Sequence, residues 1–279
     1  FYVHVTVEHV DGRDVYKHVP TEYVRAVPYD VPVVGDISNG NKTVNTLRLW
    51  SSEPTENKYP DHLSAVEYEK GVRNISEFLY PDDSTTEGKI LRLKQQYFFV
   101  AAGVRWAVRQ HKETYGTLDN FHEKNVLHIH ATHTALLVPE LMRILIDEEG
   151  YGWDEAWEIT QHSCAYTNHT ILAEALEKWP VRLFQPLLPR IYMITEEINR
   201  RYCLQLLELY PNQPQKVAEL AINGYDQVRM AHLAIVGSFS INGVAQLHTD
   251  ILTHIEMKDF YDMYPDRFNN KTNGITHRR

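Results

Sequence analysis

The stretch from Ser163 to Pro180 constrains the fold more than any other part of this chain. It begins with a short apolar run, Cys164-Ala165-Tyr166, which is too brief for a helix and lies between two helical patterns. Four polar residues, Thr167–Thr170, follow at once. Ligands of open α/β sheets bind outside the carboxyl ends of the strands, so a buried strand that ends in polar groups predicts a binding site there.

His169 is the residue of this stretch best suited to chemistry, because an imidazole donates, accepts and changes its charge near neutral pH. The alternative interpretation is a histidine of the core whose hydrogen bonds are satisfied. His133 and Ser238 also fall at the ends of predicted strands. The convergence of these three residues predicts one site at the carboxyl edge of a sheet.

The composition limits the partners and the location of the protein. Hydrophobic residues make up 43% of the 279, enough for a sizeable core, and the formal charge is −9 from 28 basic and 37 acidic residues. Nucleic-acid binding requires a basic face, so this balance argues against it. No apolar run reaches transmembrane length, and the start has no signal-peptide pattern. Only Cys164 and Cys203 occur, both in apolar patterns, so we expect a reducing, cytoplasmic location.

The pattern of apolar residues changes along the chain. Residues 1–50 are strand-rich, with an alternating run at Val3–Val7 and a hairpin signal at Asp11-Gly12, and we expect them to cover a main sheet formed by residues 51–279. The periodicity predicts helices over 63–78, 86–112, 135–147, 153–162, 186–210 and 242–254, and strands over 125–134, 164–166 and 228–236. The alternation of strand and helix predicts the α/β class, with a parallel sheet flanked by helices.

Two further patterns each permit a functional and a structural interpretation. His128 and His130 occupy one face of a predicted strand, a geometry that some metal hydrolases use, although no carboxylate-rich motif follows. Asp82 and Asp83 are paired carboxylates that could serve as a general acid, but adjacent aspartates before a helix more commonly cap it and form a turn.

A set of sequence blocks resembles the α-glucan phosphorylases, the family of the glycogen, starch and maltodextrin phosphorylases. The blocks lie in the family's order and cover nearly the whole chain. They are Asn45–Ser51, Leu79–Asp83 with Glu87-Gly88-Lys89, Leu91–Gln95, Pro139–Arg143, Trp153–Trp157, Ser163–Thr170, Met230–Leu233 and Asn270–Thr276.

The resemblance implies a GT-B type glycosyltransferase fold, of which residues 1–279 form part of the N-terminal Rossmann-like domain. We therefore expect a fragment, which alone is inactive. The implied reaction is phosphorolysis of an α-1,4-glucan by orthophosphate to glucose 1-phosphate. The implied cofactor is pyridoxal 5'-phosphate, bound through a lysine of a C-terminal domain that this segment lacks. The helix over 63–78 is expected to form a homodimer contact.

The resemblance also implies roles for individual residues. His169 is the expected catalytic residue, which hydrogen-bonds a glucose hydroxyl and stabilises developing positive charge through its backbone carbonyl. Substrate contacts are expected from Asp83, His133, Asn168 and Asn273, and no metal is expected.

The sequence departs from the family pattern at several positions. Where the family has Asn-Asp-Thr-His-Pro, this chain has His130-Ala-Thr-His-Thr134, so Ala131 replaces an aspartate. Only Arg109 remains of two arginines that bind an activating nucleotide in animal members, so control by that nucleotide is not expected. Two alternatives to the enzyme therefore stay open, a non-catalytic glucan-binding or dimerisation relative and a metal-dependent hydrolase using His128 and His130.

Overall fold

Two antiparallel ribbons form the start of the chain, as the alternating pattern predicts. The computed structural model describes residues 1–35, 40, 42–55, 60 and 63–275. The ribbons pair β1 (Val3–Val10) with β2 (Arg13–Pro20) and β3 (Arg25–Val34) with β4 (Val44–Glu53). Asp11 and Gly12 both have positive φ, the conformation of a two-residue type I′ hairpin turn, so the predicted hairpin is confirmed.

Two helices follow the ribbons. The first, α1 (Ala65–Glu77), begins with a capping box between Ser64 and Glu67 and packs against the second ribbon. The second, α2 (Thr86–Tyr115), is capped by the Thr85 hydroxyl and ends at Gly116, whose positive φ suits a glycine. Both helices agree with the prediction to within a few residues.

The remaining elements alternate between strand and helix. In chain order they are α3 (Phe121–Lys124), β5 (Leu127–Ile129), α4 (Leu137–Arg143), α5 (Trp153–Ser163), β6 (Cys164–Thr167), β7 (Lys178–Pro180), α6 (Val181–Leu187), α7 (Pro189–Leu209), α8 (Pro214–Leu220), β8 (Asn223–Gly224), β9 (Gln227–Arg229), α9 (Met230–Val236), β10 (Ser240–Gly243), α10 (Gln246–Ile251), α11 (Lys258–Met263) and β11 (Phe268–Asn270). Short turns of 3₁₀ or π helix lie at Thr132–Thr134, Ile144–Glu148, Ala173–Ala175, Leu252–Glu256 and Pro265–Arg267.

A parallel sheet of four strands organises this part of the molecule. Its strand order is β11-β10-β6-β5, and every neighbouring pair is parallel. Ile129 on β5, Tyr166 on β6 and Ile241 on β10 are almost completely buried, as is Cys164. The predicted α/β class with a parallel sheet is confirmed, and all four strands end at one edge.

The predicted strand over 228–236 is wrong. Only Gln227–Arg229 is extended, and it pairs with β7 and β8 in a separate antiparallel sheet. The apolar run from Met230 to Val236 is instead the buried helix α9, since a short continuous apolar run does not distinguish a strand from a buried helix.

The third strand of the parallel sheet is β10, in a region where the periodicity predicts a loop and a helix from Asn242. Ser238 therefore lies before β10, at its amino end, and the prediction that it belongs to the carboxyl edge is wrong. The predicted strand over 125–134 is also too long, because it ends at Ile129 and His133 lies on a 3₁₀ turn.

Candidate functional site

The carboxyl edge of the parallel sheet brings together residues from distant parts of the chain. His130 directly follows β5, and Asn168 and His169 directly follow β6. Backbone hydrogen bonds join the loops: the N–H of Asn168 donates to the carbonyl of Asn242 at 2.9 Å, and the N–H of Asn273 donates to the carbonyl of Val244 at 2.9 Å. Three of the predicted site residues, Asn168, His169 and Asn273, thus lie at the same edge.

Asn168 is buried beneath this edge, with 1% of its surface exposed. Its Nδ2 donates to Tyr166 Oη at 3.1 Å, and its Oδ1 accepts from the N–H of Thr170 at 3.0 Å. His248 Nε2 lies 3.2 Å from the same Oδ1. Because the N–H of Val244 donates to His248 Nδ1 at 3.1 Å, the hydrogen of this imidazole is on Nε2 and points to Asn168. This network fixes the backbone that carries His169.

The His169 side chain is exposed, and its ring stacks on that of His130 with centroids 4.6 Å apart and planes 23° apart. Its pKa is lowered, first by partial burial and then by the rings of His130 and His248, while a hydrogen bond to the His130 backbone opposes part of the shift. The imidazole is therefore neutral at pH 7. A neutral imidazole offers one donor and one acceptor, as a sugar hydroxyl does.

His128 is engaged in a hydrogen-bond chain across the sheet edge. Its Nε2 lies 2.5 Å from Thr167 Oγ1, and the Thr167 hydroxyl donates to Asn242 Oδ1 at 2.7 Å. Thr167 Oγ1 therefore accepts from His128, which uses this nitrogen for a structural bond. Among the described residues, no group of three His, Cys, Asp or Glu side chains is arranged to hold a metal ion.

A cavity of about 540 Å³ adjoins this edge and contains the other two predicted site residues. Asp83 and His133 line it, together with Arg92, Ala131 and Glu177. The Arg92 guanidinium links the two acidic residues, with its Nε 3.2 Å from Glu177 Oε1 and 3.9 Å from Asp83 Oδ2. Glu177 Oε2 is buried and has no hydrogen-bond partner among the described residues, so a free acceptor lies at the cavity wall.

The loop that carries Asp83 is held close to the first turn of α2. A Cβ at Gly88 would overlap the carbonyl oxygen of Asp82, so only glycine permits this approach. On the opposite wall, burial lowers the pKa of His133, and the positive charges of Arg92 and His130 add to this effect against that of Glu177. The cavity lining therefore carries the His133 imidazole, one arginine, two lysines and three carboxylates.

Comparison with known proteins decides the family. The model of the carbohydrate phosphorylase family matches residues 1–279. The chain belongs to this family. It is 53% identical over 277 residues to glycogen phosphorylase of Bacillus subtilis, in an alignment that covers 99% of this chain and 34% of that protein. It is 44% identical over 290 residues to the human brain form of glycogen phosphorylase, in an alignment that covers 98% of this chain and 34% of that protein.

A third relative, the glycogen phosphorylase of Synechocystis, is 44% identical over 265 residues, covering 92% of this chain and 31% of that protein. The chain thus spans about a third of the length of the curated relatives that it matches. The resemblance inferred from the sequence blocks is confirmed. None of the helices in the described ranges has both the length and the apolar character that a membrane crossing requires.

Three residues of this site are not predicted from the sequence. Arg92 lies on a predicted helix and looks like an ordinary exposed charge. Glu177 lies within the Ser163–Pro180 stretch, seven residues after its polar run. His248 lies on α10, whose approach to Asn168 depends on β10, the strand that the periodicity did not indicate. Of these three residues, only Glu177 has a local sequence signal of a binding site, because it lies between the polar run and Pro180.

Proposed function

We propose that the full-length protein is a glycogen or α-glucan phosphorylase, which cleaves an α-1,4-glucan with orthophosphate to release glucose 1-phosphate. The observation that carries the proposal is the exposed, neutral His169 imidazole at the carboxyl edge of the parallel sheet, next to a cavity with a free carboxylate acceptor. The names of the three relatives, all glycogen phosphorylases, support it.

In this reaction a phosphate oxygen forms a bond to the anomeric carbon, the glycosidic C–O bond breaks, and the departing oxygen takes a proton. Positive charge develops on the sugar ring in an oxocarbenium-like transition state. His169 would hydrogen-bond a sugar hydroxyl and place its backbone carbonyl towards that charge, while Asn273 and Asn168 would hold and support the neighbouring contacts. Hydrogen bonds that strengthen as charge develops lower the barrier, whereas equal binding of ground and transition states does not.

Asp83, His133 and Glu177 would bind further hydroxyls or orient the loop at the cavity. Glu177 Oε2 is the strongest of these candidates, because a buried carboxylate oxygen without a donor is costly unless a ligand supplies one. Arg92 would bridge these two carboxylates and offset the repulsion between them.

Pyridoxal 5'-phosphate is the cofactor that the family resemblance implies, and it requires a lysine for its Schiff base. No sequence motif of this segment matches that of the cofactor's lysine. Lys271, which follows β11, is bound to Asn269 Oδ1 at 2.7 Å, and Lys89 lies at the outer wall of the Asp83 cavity. The cofactor's lysine would belong to a C-terminal domain, and this segment would be part of the N-terminal domain of a GT-B fold, with residues 1–50 as its strand-rich cover.

The cellular setting is also part of the proposal. We expect a cytoplasmic homodimer in which α1 contributes to the subunit contact. Its Tyr68, Val72 and Ile75 are buried, while Val66 is exposed on the opposite side, so the helix keeps a free face.

Assay of the full-length protein with maltodextrin and orthophosphate tests the function. A pyridoxal absorbance band together with glucose 1-phosphate supports the phosphorylase. The same band without product, but with retained maltodextrin binding, would instead identify a non-catalytic glucan-binding relative. Ala131 at the cavity wall is the observation that favours this second candidate, because the family has a hydrogen-bonding aspartate there.

A further inference from the structure

His130 has no role in the function proposed above, yet its ring lies closer to His169 than any other ring does in the described part of the chain. We propose that His130 is a positioning residue, whose imidazole stacks on the His169 ring and fixes its plane. This inference rests on the proposed role of His169 and adds a residue that orients its ring.

The stack follows from the sheet. His130 and His169 leave the neighbouring strands β5 and β6, which are parallel and in register from Leu127↔Cys164 to Ile129↔Tyr166. Neighbouring strands lie about 4.8 Å apart, and continuing the register places His130 beside Thr167. His169 lies two residues further along the loop after β6, and its ring meets that of His130 with centroids 4.6 Å and planes 23° apart.

Little else holds the His169 ring. In the described ranges, no side-chain hydroxyl, amide or carboxylate is hydrogen-bonded to it, and its polar contact is with the backbone of His130. That contact and the stack come from the same residue. Loss of the His130 ring would therefore remove the stack and leave the backbone hydrogen bond as the remaining restraint on the His169 imidazole.

The charges around His169 also come from imidazoles. His130 and His248 lower its pKa, and His128 lies beyond His130 with ring centroids 6.1 Å apart. The pKa of His128 is lowered in turn, by burial and then by His130 and His169. Among the described residues, no carboxylate contributes to the pKa shift of His169. Simultaneous protonation of His130 and His169 would therefore place two positive charges at stacking distance without a neighbouring negative charge. Nearly parallel rings also do not converge on one ion, so this geometry is that of a stack and not of a metal site.

Two variants of the full-length protein separate the ring from its charge. His130→Phe keeps an aromatic ring and removes the titrating nitrogens, whereas His130→Asn removes the ring. The matched control is His4→Phe, which replaces an exposed histidine on β1. The readout is the rate at which diethyl pyrocarbonate modifies His169 as a function of pH, followed by peptide mass spectrometry, since this reagent attacks the neutral imidazole.

We expect the modification midpoint of His169 to rise in both His130 variants and to stay unchanged in the control. We expect kcat to fall about tenfold in His130→Asn and less than about threefold in His130→Phe, because only the first loses the stack. An unchanged midpoint in both variants, or equal kcat values for the two, would overturn the proposal. If the full-length protein makes no glucose 1-phosphate at all, the proposed function fails. The pH midpoint of His169 modification then still tests whether the His130 ring acts on His169, because it does not depend on activity.

Discussion

At the level of single residues, the site separates a ligand-facing group from the group that supports it. His169 is exposed and its ring contacts His130, while Asn168 beneath it is buried and hydrogen-bonded on both polar atoms. Adjacent positions in one sequence motif therefore have different physical tasks. Substitution should distinguish them.

We expect His169→Ala in the full-length protein to reduce glucose 1-phosphate formation about 10² to 10³-fold, since a hydrogen bond of the transition state is lost. Its melting temperature should change little, because the side chain is exposed. Asn168→Ala should lower the melting temperature as well as the activity, because it leaves Tyr166 and His248 without their partner at a cost of about 1–3 kcal/mol. Calorimetry and the phosphorolysis assay together provide the check. Equal melting temperatures for the two variants would contradict this division.

At the level of elements, the start of α2 positions the loop of Asp83. Gly88 permits the close approach of Asp82 to the helix, and Gly103, further along the same helix, has open space where a Cβ would be. The two glycines thus provide a matched pair of sites in one element.

Gly88→Ala should destabilise the protein by about 1–3 kcal/mol and raise the KM for glucan, because the added methyl group displaces the loop at the cavity. Gly103→Ala should stabilise it by about 0.5–1 kcal/mol, since alanine is the better helix former. Chemical denaturation and steady-state kinetics measure both effects. A stable Gly88→Ala variant with an unchanged KM would show that the loop is not held by this contact.

The helix α9 carries a histidine whose titration should appear in the stability. His232 Nδ1 lies 3.1 Å from the carbonyls of Leu220 and Ala221, and burial lowers its pKa to about 4. The unfolded chain, with a pKa near 6.5, binds more protons between these values, so the free energy of unfolding should fall as the pH decreases from about 6.5 to about 4, by about 3 kcal/mol at most. Urea titrations of wild type and His232→Gln at pH 7 and pH 5 test this. An equal loss on acidification in both proteins would refute it.

The sequence predicts those elements whose pattern has one interpretation. The hairpin at Asp11-Gly12, the helices α1 and α2 and the strand at Cys164 are predicted correctly because the turn signal, the apolar periodicity and the polar boundary are local. The α9 run and the short β10 were not, because burial on all sides removes the periodicity that separates strand from helix. The same limit applies to the site. His169 and Asn273 follow from motifs, but the His130 stack depends on which strands are neighbours, which no local pattern contains.

At the level of the whole molecule, one buried ionic cluster attaches the first ribbon to the helices. Arg190 on α7 binds Asp147 through both oxygens at 2.8 and 2.6 Å, and His18 on β2 lies 3.0 Å from the same carboxylate. Burial raises the pKa of Asp147, but the hydrogen bonds from Arg190 and His18 outweigh this and lower it. The Arg190 guanidinium also stacks over the Tyr16 ring at 3.4 Å.

Arg190→Met should therefore destabilise the protein by about 3–5 kcal/mol, because it leaves a buried carboxylate with only a histidine. Arg200→Met, on the exposed side of the same helix, should cost less than about 1 kcal/mol. The double variant Asp147→Asn with Arg190→Met should recover part of the loss. Denaturant midpoints give all three values, and similar costs for Arg190 and Arg200 would contradict the assignment.

The strand order of the parallel sheet has a consequence for biosynthesis. Each strand joins the outer edge of the one made before it, β6 beside β5, β10 beside β6 and β11 beside β10. No strand has to insert between two that are already paired, so pairing can advance while the ribosome is still elongating the chain at roughly 5–20 residues per second. The two stacked imidazoles belong to the first pair of strands. They can therefore meet before the ribosome has made the strand that precedes Asn273, and the pocket is assembled vectorially, from one side to the other.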